Sequence, residues 1–451
     1  MQEALHLLPL FKDYMKQIAL AFICMYTLVG CTGLKKNSRT DFNKIAEQYV
    51  RLGLTIGQYD PDFVDAYYGP DSLQPKAIVV NNFPKDSLLA AVNELQKAAV
   101  KAGDNSEDSI TFIRAKWMQT QLTAFSRRIK IASGEYADFD IESKELFGAE
   151  APHNTEAYFV AIEKELDSLM PGKGSLTDRM TAFTKNFIIP KEKIDTIFKV
   201  SIEEARKRTL SHFTLPAGET FTLEYVTNKP WGGYNWYKGN YKSVIQINTD
   251  LPIYIERAID LACHEGYPGH HVFNALLEKN LYRDKGWVEI SLYPLFSPQS
   301  FIAEGSANYG IEVAFPGNEK NVFAKEVLFP LAGLDPSKAD AYFKVLELKS
   351  KLNYARNEAA RGHINGTLKE IDAINWLTNY SLMTTDAANK SLSFIKKYRS
   401  YVINYNYGQD MVKEYIEKNG GTSDNPAKRW TLFEWLLSNV VTPDELKGKT
   451  K

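Results

Sequence analysis

Three of the chain's seven histidines fall within eight residues, in His264-Glu265-Gly266-Tyr267-Pro268-Gly269-His270-His271. Imidazole is the commonest side-chain metal ligand, and a carboxylate next to one can act as a base toward a water that the metal polarises. In the HExxH arrangement the two histidines sit at i and i+4 on one helical face, where both reach a zinc ion at about 2.0 Å. Here the later histidines come at i+6 and i+7. On a regular helix of about 3.6 residues per turn, i+6 points to roughly the opposite side and i+7 returns about 10.5 Å further along. Neither could share an ion with His264. Pro268 offers a remedy, because it has no N–H for the His264 carbonyl and its ring clashes there. Gly269 tolerates the backbone angles of a break. The spacing therefore predicts a bulge over Tyr267 to Gly269. Absorbing two residues delivers His270 to the i+4 place, and absorbing three delivers His271. Cys263 reads as a small buried core residue rather than a ligand.

The octet closely resembles the HExxPGHH signature of a widespread bacterial family, the domain of unknown function numbered eight hundred and eighty-five, whose members are often lipoproteins and look like gluzincin metallopeptidases. Gly269-His270 also resembles the Gly-His ending of the HExGH motifs of angiotensin-converting-enzyme-like, thimet-oligopeptidase-like and carboxypeptidase-Taq-like enzymes, which favours His270. The resemblance extends over most of the chain and is sharp in its centre. It implies a mainly α, gluzincin-type helical body with a third ligand from a Glu on a later helix. Phe301-Ile302-Ala303-Glu304-Gly305-Ser306-Ala307-Asn308-Tyr309 resembles the family's EGWALY segment, with Glu304, Gly305, Ala307 and Tyr309 matching and Ser306 and Asn308 departing. Glu304 is the implied third ligand. Physical reasoning points the same way, since Phe301, Glu304, Asn308 and Ile311 share one helical face and a carboxylate on an apolar stripe needs a cation or donors. Asn308 can orient that carboxylate or a ligating imidazole. Tyr405-Asn406-Tyr407-Gly408 resembles the family's YxxG segment, which implies Tyr405 as a donor to the developing oxyanion; the Arg-Tyr and Pro-Gly-Gln elements that precede it in the family are not in register here. His363 loosely resembles a family Gly-Leu-His segment, but Ala359 stands where the family has Asp.

The elements that must position these groups are mostly helical. After Thr249-Asp250, read as an N-cap, and Pro252, a helix runs through Ile255, Ile259 and Ala262 into the motif. Helices are expected over 300–315, over 335–360 with a core stripe of Ala339, Tyr342, Phe343 and Leu346, and within 369–418 and 428–438. Near the start, Asp41-Phe42 opens a run with Ile45, Tyr49, Leu52 and Ile56 at near-helical spacing, and 109–131 lacks Pro and Gly. Two segments read as strands, Phe221–Val226 by alternation and Ser243–Asn248 by β-branching. By the gluzincin resemblance the second is an edge strand beside the substrate, where backbone pairing would hold an extended peptide. Between them, Lys229 to Tyr237 is rich in turn formers and aromatics and reads as a loop near the site. Lys242, Arg356 and Arg399 are among several cations that could meet a substrate carboxylate.

Composition sets the remaining bounds. The 451 residues are 44% hydrophobic and 24% charged, with 54 Lys and Arg against 55 Asp and Glu. That profile is globular, and the charge balance speaks against nucleic acid as a partner. Ile18 to Leu28 is apolar but shorter than the roughly 20 residues a bilayer span needs. With Lys16 before it and Leu28-Val29-Gly30-Cys31 after it, the segment resembles a bacterial lipoprotein signal. The resemblance implies a signal peptide over 1–30, lipid on Cys31 as membrane anchor, a tether over 31–41, one large domain over 42–451, and a cell-envelope location facing periplasm or exterior. Cys31 and Cys263 then leave no disulfide.

These readings converge on a zinc hydrolase acting on peptides outside the cytoplasm, with His264, His270 and Glu304 holding Zn2+, Glu265 as general base and Tyr405 as oxyanion donor. A binding lipoprotein that keeps the metal without turnover is the competing class, and hydrolysis of other amides or esters shares the same chemistry.

Overall fold

The computed structural model describes residues 38–76 and 82–448. The expected signal segment, Cys31 and the first part of the tether lie outside these residues. The first helix, α1 (Ser38–Gly57), begins three residues before the expected Asp41 start, so the end of the stretch expected as tether is helical. Arg39-Thr40-Asp41 holds neither Gly nor Pro, so nothing stops the helix from extending back from Phe42. Among the described residues no helix is long and apolar enough to cross a membrane.

The protein is mainly helical, 67% helix against 7% strand. Helices α2 (Lys85–Asp104) and α3 (Ser109–Ala132) pack with α1 at one end. Asp108 caps α3 by accepting from the Thr111 N–H, a donor the helix cannot itself satisfy. Helix α4 (Ile194–Leu210) leads to the sheet, and the metal-motif segment follows as α5 (Ile255–Leu261), a π-helical turn over Ala262–Gly266, and α6 (His270–Leu277). Helix α5 starts after Tyr254 rather than at Thr249-Asp250, because Asp250 is turned back to accept from the Asn228 N–H. Helix α7 (Pro298–Ala314) is buried along nearly its whole length and is capped by Ser297 with Pro298 in its first turn. A helix with so little exposed face runs through the middle of a body rather than over its surface. Helices α8 (Ala339–Ser350) and α9 (Ala355–Ile364) are joined by a 3-10 turn over Lys351–Tyr354, and α10 (Ile403–Lys418) and α11 (Pro426–Ser438) come later in the chain. One continuous apolar core runs from Phe42 to Leu446, with two small satellites.

The β element precedes the metal motif as expected, but its order differs from the sequence reading. Strand β1 (Val64–Tyr67) pairs with β5 (Leu292–Pro294). The larger sheet runs β2 (Thr220–Val226), β4 (Lys242–Asn248), β3 (Gly233–Gly239), with β2 parallel and β3 antiparallel to β4. The strand expected at the edge is therefore central, and part of the expected loop is an edge strand. The cause is the turn: Asn240 and Tyr241 both take positive φ, 54° and 60°, the geometry of a two-residue hairpin that folds β3 back on β4.

Candidate metal centre

The His264 and His270 Nε2 atoms lie 3.1 Å apart. Glu304 Oε2 lies 3.2 Å from the first and 3.6 Å from the second. Ligand atoms at about 2.0–2.1 Å from a tetrahedral zinc would be separated by about 3.3 Å. The observed triangle has that size. The motif's own carboxylate, Glu265, is beside it, and the ligand atoms of His264, Glu265 and His270 all lie within 4.8 Å of one another.

The break in the helix creates this approach. Tyr267 N–H donates to the Ala262 carbonyl five residues back, at 3.0 Å, and Gly269 N–H to the Cys263 carbonyl six back, at 2.9 Å. Against the usual four, the ladder has taken up two extra residues. Gly269 is required there, since a Cβ would stand 1.9 Å from the His264 carbonyl oxygen. His270 opens α6 toward the cluster. His271, one residue on, points the other way and is fully buried, with Ser243 Oγ 2.9 Å from Nδ1 and Glu219 Oε2 2.9 Å from Nε2.

Glu304 arrives by a close helix crossing. A Cβ on Gly305 would stand 2.4 Å from the Gly408 carbonyl group, so α7 and α10 meet backbone to backbone. That contact sets Tyr401 beside Glu304, where its hydroxyl donates to Oε1 at 2.9 Å. Asn308, one turn beyond Glu304, accepts from His264 Nδ1 at 2.9 Å and donates from Nδ2 to the Tyr405 carbonyl at 2.7 Å. The second bond fixes the amide's orientation, so its oxygen meets Nδ1 of His264 and Nε2 is left facing the cluster.

A divalent cation fits this donor set. Glu304 Oε2 is buried and receives no well-aligned hydrogen bond, while two imidazole edges and this oxygen converge on one point. Without a cation, protons balance the charge. Burial opposes the Glu304 charge, but the His270 and His264 imidazoles outweigh it and hold the carboxyl well below the usual range. Burial likewise works against the His270 cation, yet the Glu304 carboxylate lifts it to about 9. A bound ion would displace these protons. Burial raises Glu265, although both imidazoles pull it down. Its backbone carbonyl is held by Asn235 Nδ2 at 2.7 Å, and Gly233 leaves it room, since a Cβ there would lie 3.1 Å from Oε1.

The cluster opens into a cavity of about 670 Å³, also lined by Tyr405. Among the described residues none is hydrogen-bonded to the Tyr405 hydroxyl, whose burial, with Glu304 nearby, raises it well above the ordinary phenol range. His363 is not among the lining residues. Cys263 is buried. Of the cations considered for a substrate carboxylate, Arg399 is committed to Glu142 through two bonds of 2.7 Å, Lys242 stands at the exposed start of β4, and Arg356 lines the cavity.

Several groups here escaped the sequence reading. Tyr401 sits four residues before Tyr405, and that helical spacing was the one signal available. Asp65, from β1, lines the cavity and accepts from the Tyr234 hydroxyl; burial pushes it up to about 6. Nothing near Asp65 in the sequence marks it.

No family profile matches the chain, and no curated protein matches it. Among solved structures, it is similar to a protein from Colwellia psychrerythraea provisionally classed as a lipoprotein, with TM-score 0.51 and 15% identity over 80% of this chain and 68% of that one. An M32 carboxypeptidase from Deinococcus radiodurans R1 also aligns, with TM-score 0.39 and 12% identity over 91% and 94% of the two chains. The first likeness is one of fold.

Proposed function

We propose that this protein is a zinc-dependent hydrolase of the gluzincin type whose substrates are peptides, anchored to a bacterial cell envelope through lipid on Cys31 and akin to the lipoprotein family its HExxPGHH octet resembles. The observation that carries the reading is the triangle of His264 Nε2, His270 Nε2 and Glu304 Oε2, with Glu265 beside it, all lining one cavity. The fold shared with the Colwellia protein is in keeping with the lipoprotein part.

When bound, zinc supplies Lewis-acid polarisation of the scissile carbonyl and makes a water more acidic. The chain does the rest. His264, His270 and Glu304 hold the ion, and Asn308 and Tyr401 fix two of those side chains. Glu265 takes a proton from the attacking water and returns it to the leaving amine, a role suited to a carboxyl whose burial raises its affinity for protons. The Tyr405 hydroxyl, free of protein partners and facing the cavity, donates to the carbonyl oxygen as charge builds there. A site with three protein ligands keeps a position for chemistry, whereas a structural zinc is usually closed by four.

The test is metal analysis of the purified protein followed by peptide digestion. One equivalent of zinc, cleavage that chelator stops and zinc restores, and a fall of about 10²- to 10⁴-fold in Glu265→Gln with metal retained are expected. Chelator-insensitive cleavage, or full activity in Glu265→Gln, would sink the assignment; zinc without hydrolysis across a broad peptide library would leave a binding lipoprotein.

A further inference from the structure

Lining the same cavity as the metal cluster are two cations that form no ion pair among the described residues, although the charge of the buried Glu256 reaches Lys349. Lys349 lies near the end of α8 and Arg356 near the start of α9, and both line the cavity. Seven residues separate them, about two helical turns, so they share a face of a nearly continuous helical run. Among the described residues neither has a carboxylate within 4 Å, although such pairs are common elsewhere in the chain. The Arg356 Nε is buried with no hydrogen-bond partner. The guanidinium's one specific neighbour is the Phe394 ring, 4.6 Å from its carbon.

Apart from the candidate base Glu265, the acids on the cavity wall have partners. Asp260 is paired with Lys320 and Arg257, Asp65 with the Tyr234 hydroxyl, and Glu304 with Tyr401 and the imidazoles. Withdrawing a cation from water without a partner is costly, and burial lowers the proton affinity of both Lys349 and Arg356. A planar guanidinium with free donors is matched by a carboxylate, which it can hold through two parallel bonds.

We propose that Arg356, assisted by Lys349, is the receiving site for a carboxylate of the peptide substrate, so that the enzyme acts on short peptides whose terminal or side-chain carboxylate lies across the cavity from the bond at the metal cluster. The inference rests on the peptide-hydrolase reading for its choice of ligand. The same chemistry comes from a C-terminus or from an Asp or Glu side chain, and the measurement separates them.

Calorimetry would compare tri-alanine with its C-terminal amide, and Ala-Glu-Ala amide with Ala-Gln-Ala amide, on the full protein with zinc and again after chelation. The wild type is expected to prefer at least one carboxylate-bearing member by about ten- to a hundredfold. Preference in the first pair assigns the C-terminus; preference in the second assigns the side chain. Arg356→Gln should abolish the preference, Arg356→Lys restore part of it, and Lys349→Met reduce it. Should Arg356→Gln fail to fold, the wild-type comparison and Lys349→Met still decide. A wild type that binds acid and neutral members within about twofold overturns the proposal, as does a folded Arg356→Gln that keeps the preference. A preference that survives chelation in a protein that never hydrolyses peptides would sink the catalytic reading and leave the carboxylate site standing. Zinc-dependent hydrolysis indifferent to Arg356 would do the reverse.

Discussion

The cavity has two walls of opposite construction. On the metal side, the groups that set geometry are locked by partners from distant segments: His264 by Asn308, Asn308 by the Tyr405 carbonyl, and Glu304 by Tyr401. Elsewhere on the lining, Lys349 and Arg356 have no ion-pair partner among the described residues, and the Arg356 Nε makes no hydrogen bond. Ligands to one ion must be held to within a fraction of an ångström, so their orientation is fixed before anything binds. A cation that meets a mobile substrate needs its donors free instead. The contrast separates side chains that prepare a site from those that await a partner.

The comparison breaks most completely at Glu304. Glu304→Ala removes the proposed ligand oxygen and should leave the purified protein without stoichiometric metal, whereas His271→Gln, at the same helix start but turned to Ser243 and Glu219, should keep its metal and only melt lower. Loss of metal in His271→Gln would reverse the assignment of the two histidines. An intermediate effect is expected from Asn308→Ala, which frees the His264 ring; competition with a chelating dye should read metal affinity weakened by about 10- to 100-fold. Unchanged affinity would mean that the locked wall is not what orients the imidazole. Gly305→Ala sharpens the comparison at the level of the scaffold. Its new methyl has no room against Gly408, so unfolding should register a loss of about 1–3 kcal/mol. Metal content at saturating zinc should hardly move, and a variant as stable as the parent would show that the crossing is not tight.

Much of the site's composition could be read from the linear chain. Pro268 and Gly269 announced a helix break by local chemistry, and counting left two absorbed residues, for His270, or three, for His271. The helix periodicity of Phe301 to Ile311 put Glu304 and Asn308 on one face. The limits lay where partners come from afar. Lys229 to Tyr237 looked like a loop because Gly and aromatic residues are compatible with either state, and pairing with β4 decided for a strand from Gly233 onward. Arg399 and Arg356 looked alike as candidates until Glu142, 257 residues from Arg399, occupied one and not the other. Asp65 carried no mark at all.

The sequence by itself determined the candidate ligand types, the place where the helix carrying them must break and the largely helical character of the body, because proline, glycine and hydrophobic period act over a few neighbouring residues. Only the tertiary structure decided which way His270 and His271 turn, which strand lies at the sheet's edge, what holds Glu304, and which cations remain unpaired. Those outcomes depend on which distant donors and acceptors compete for each polar group, and that competition is settled when helices such as α7 and α10 pack closely enough for their side chains to meet.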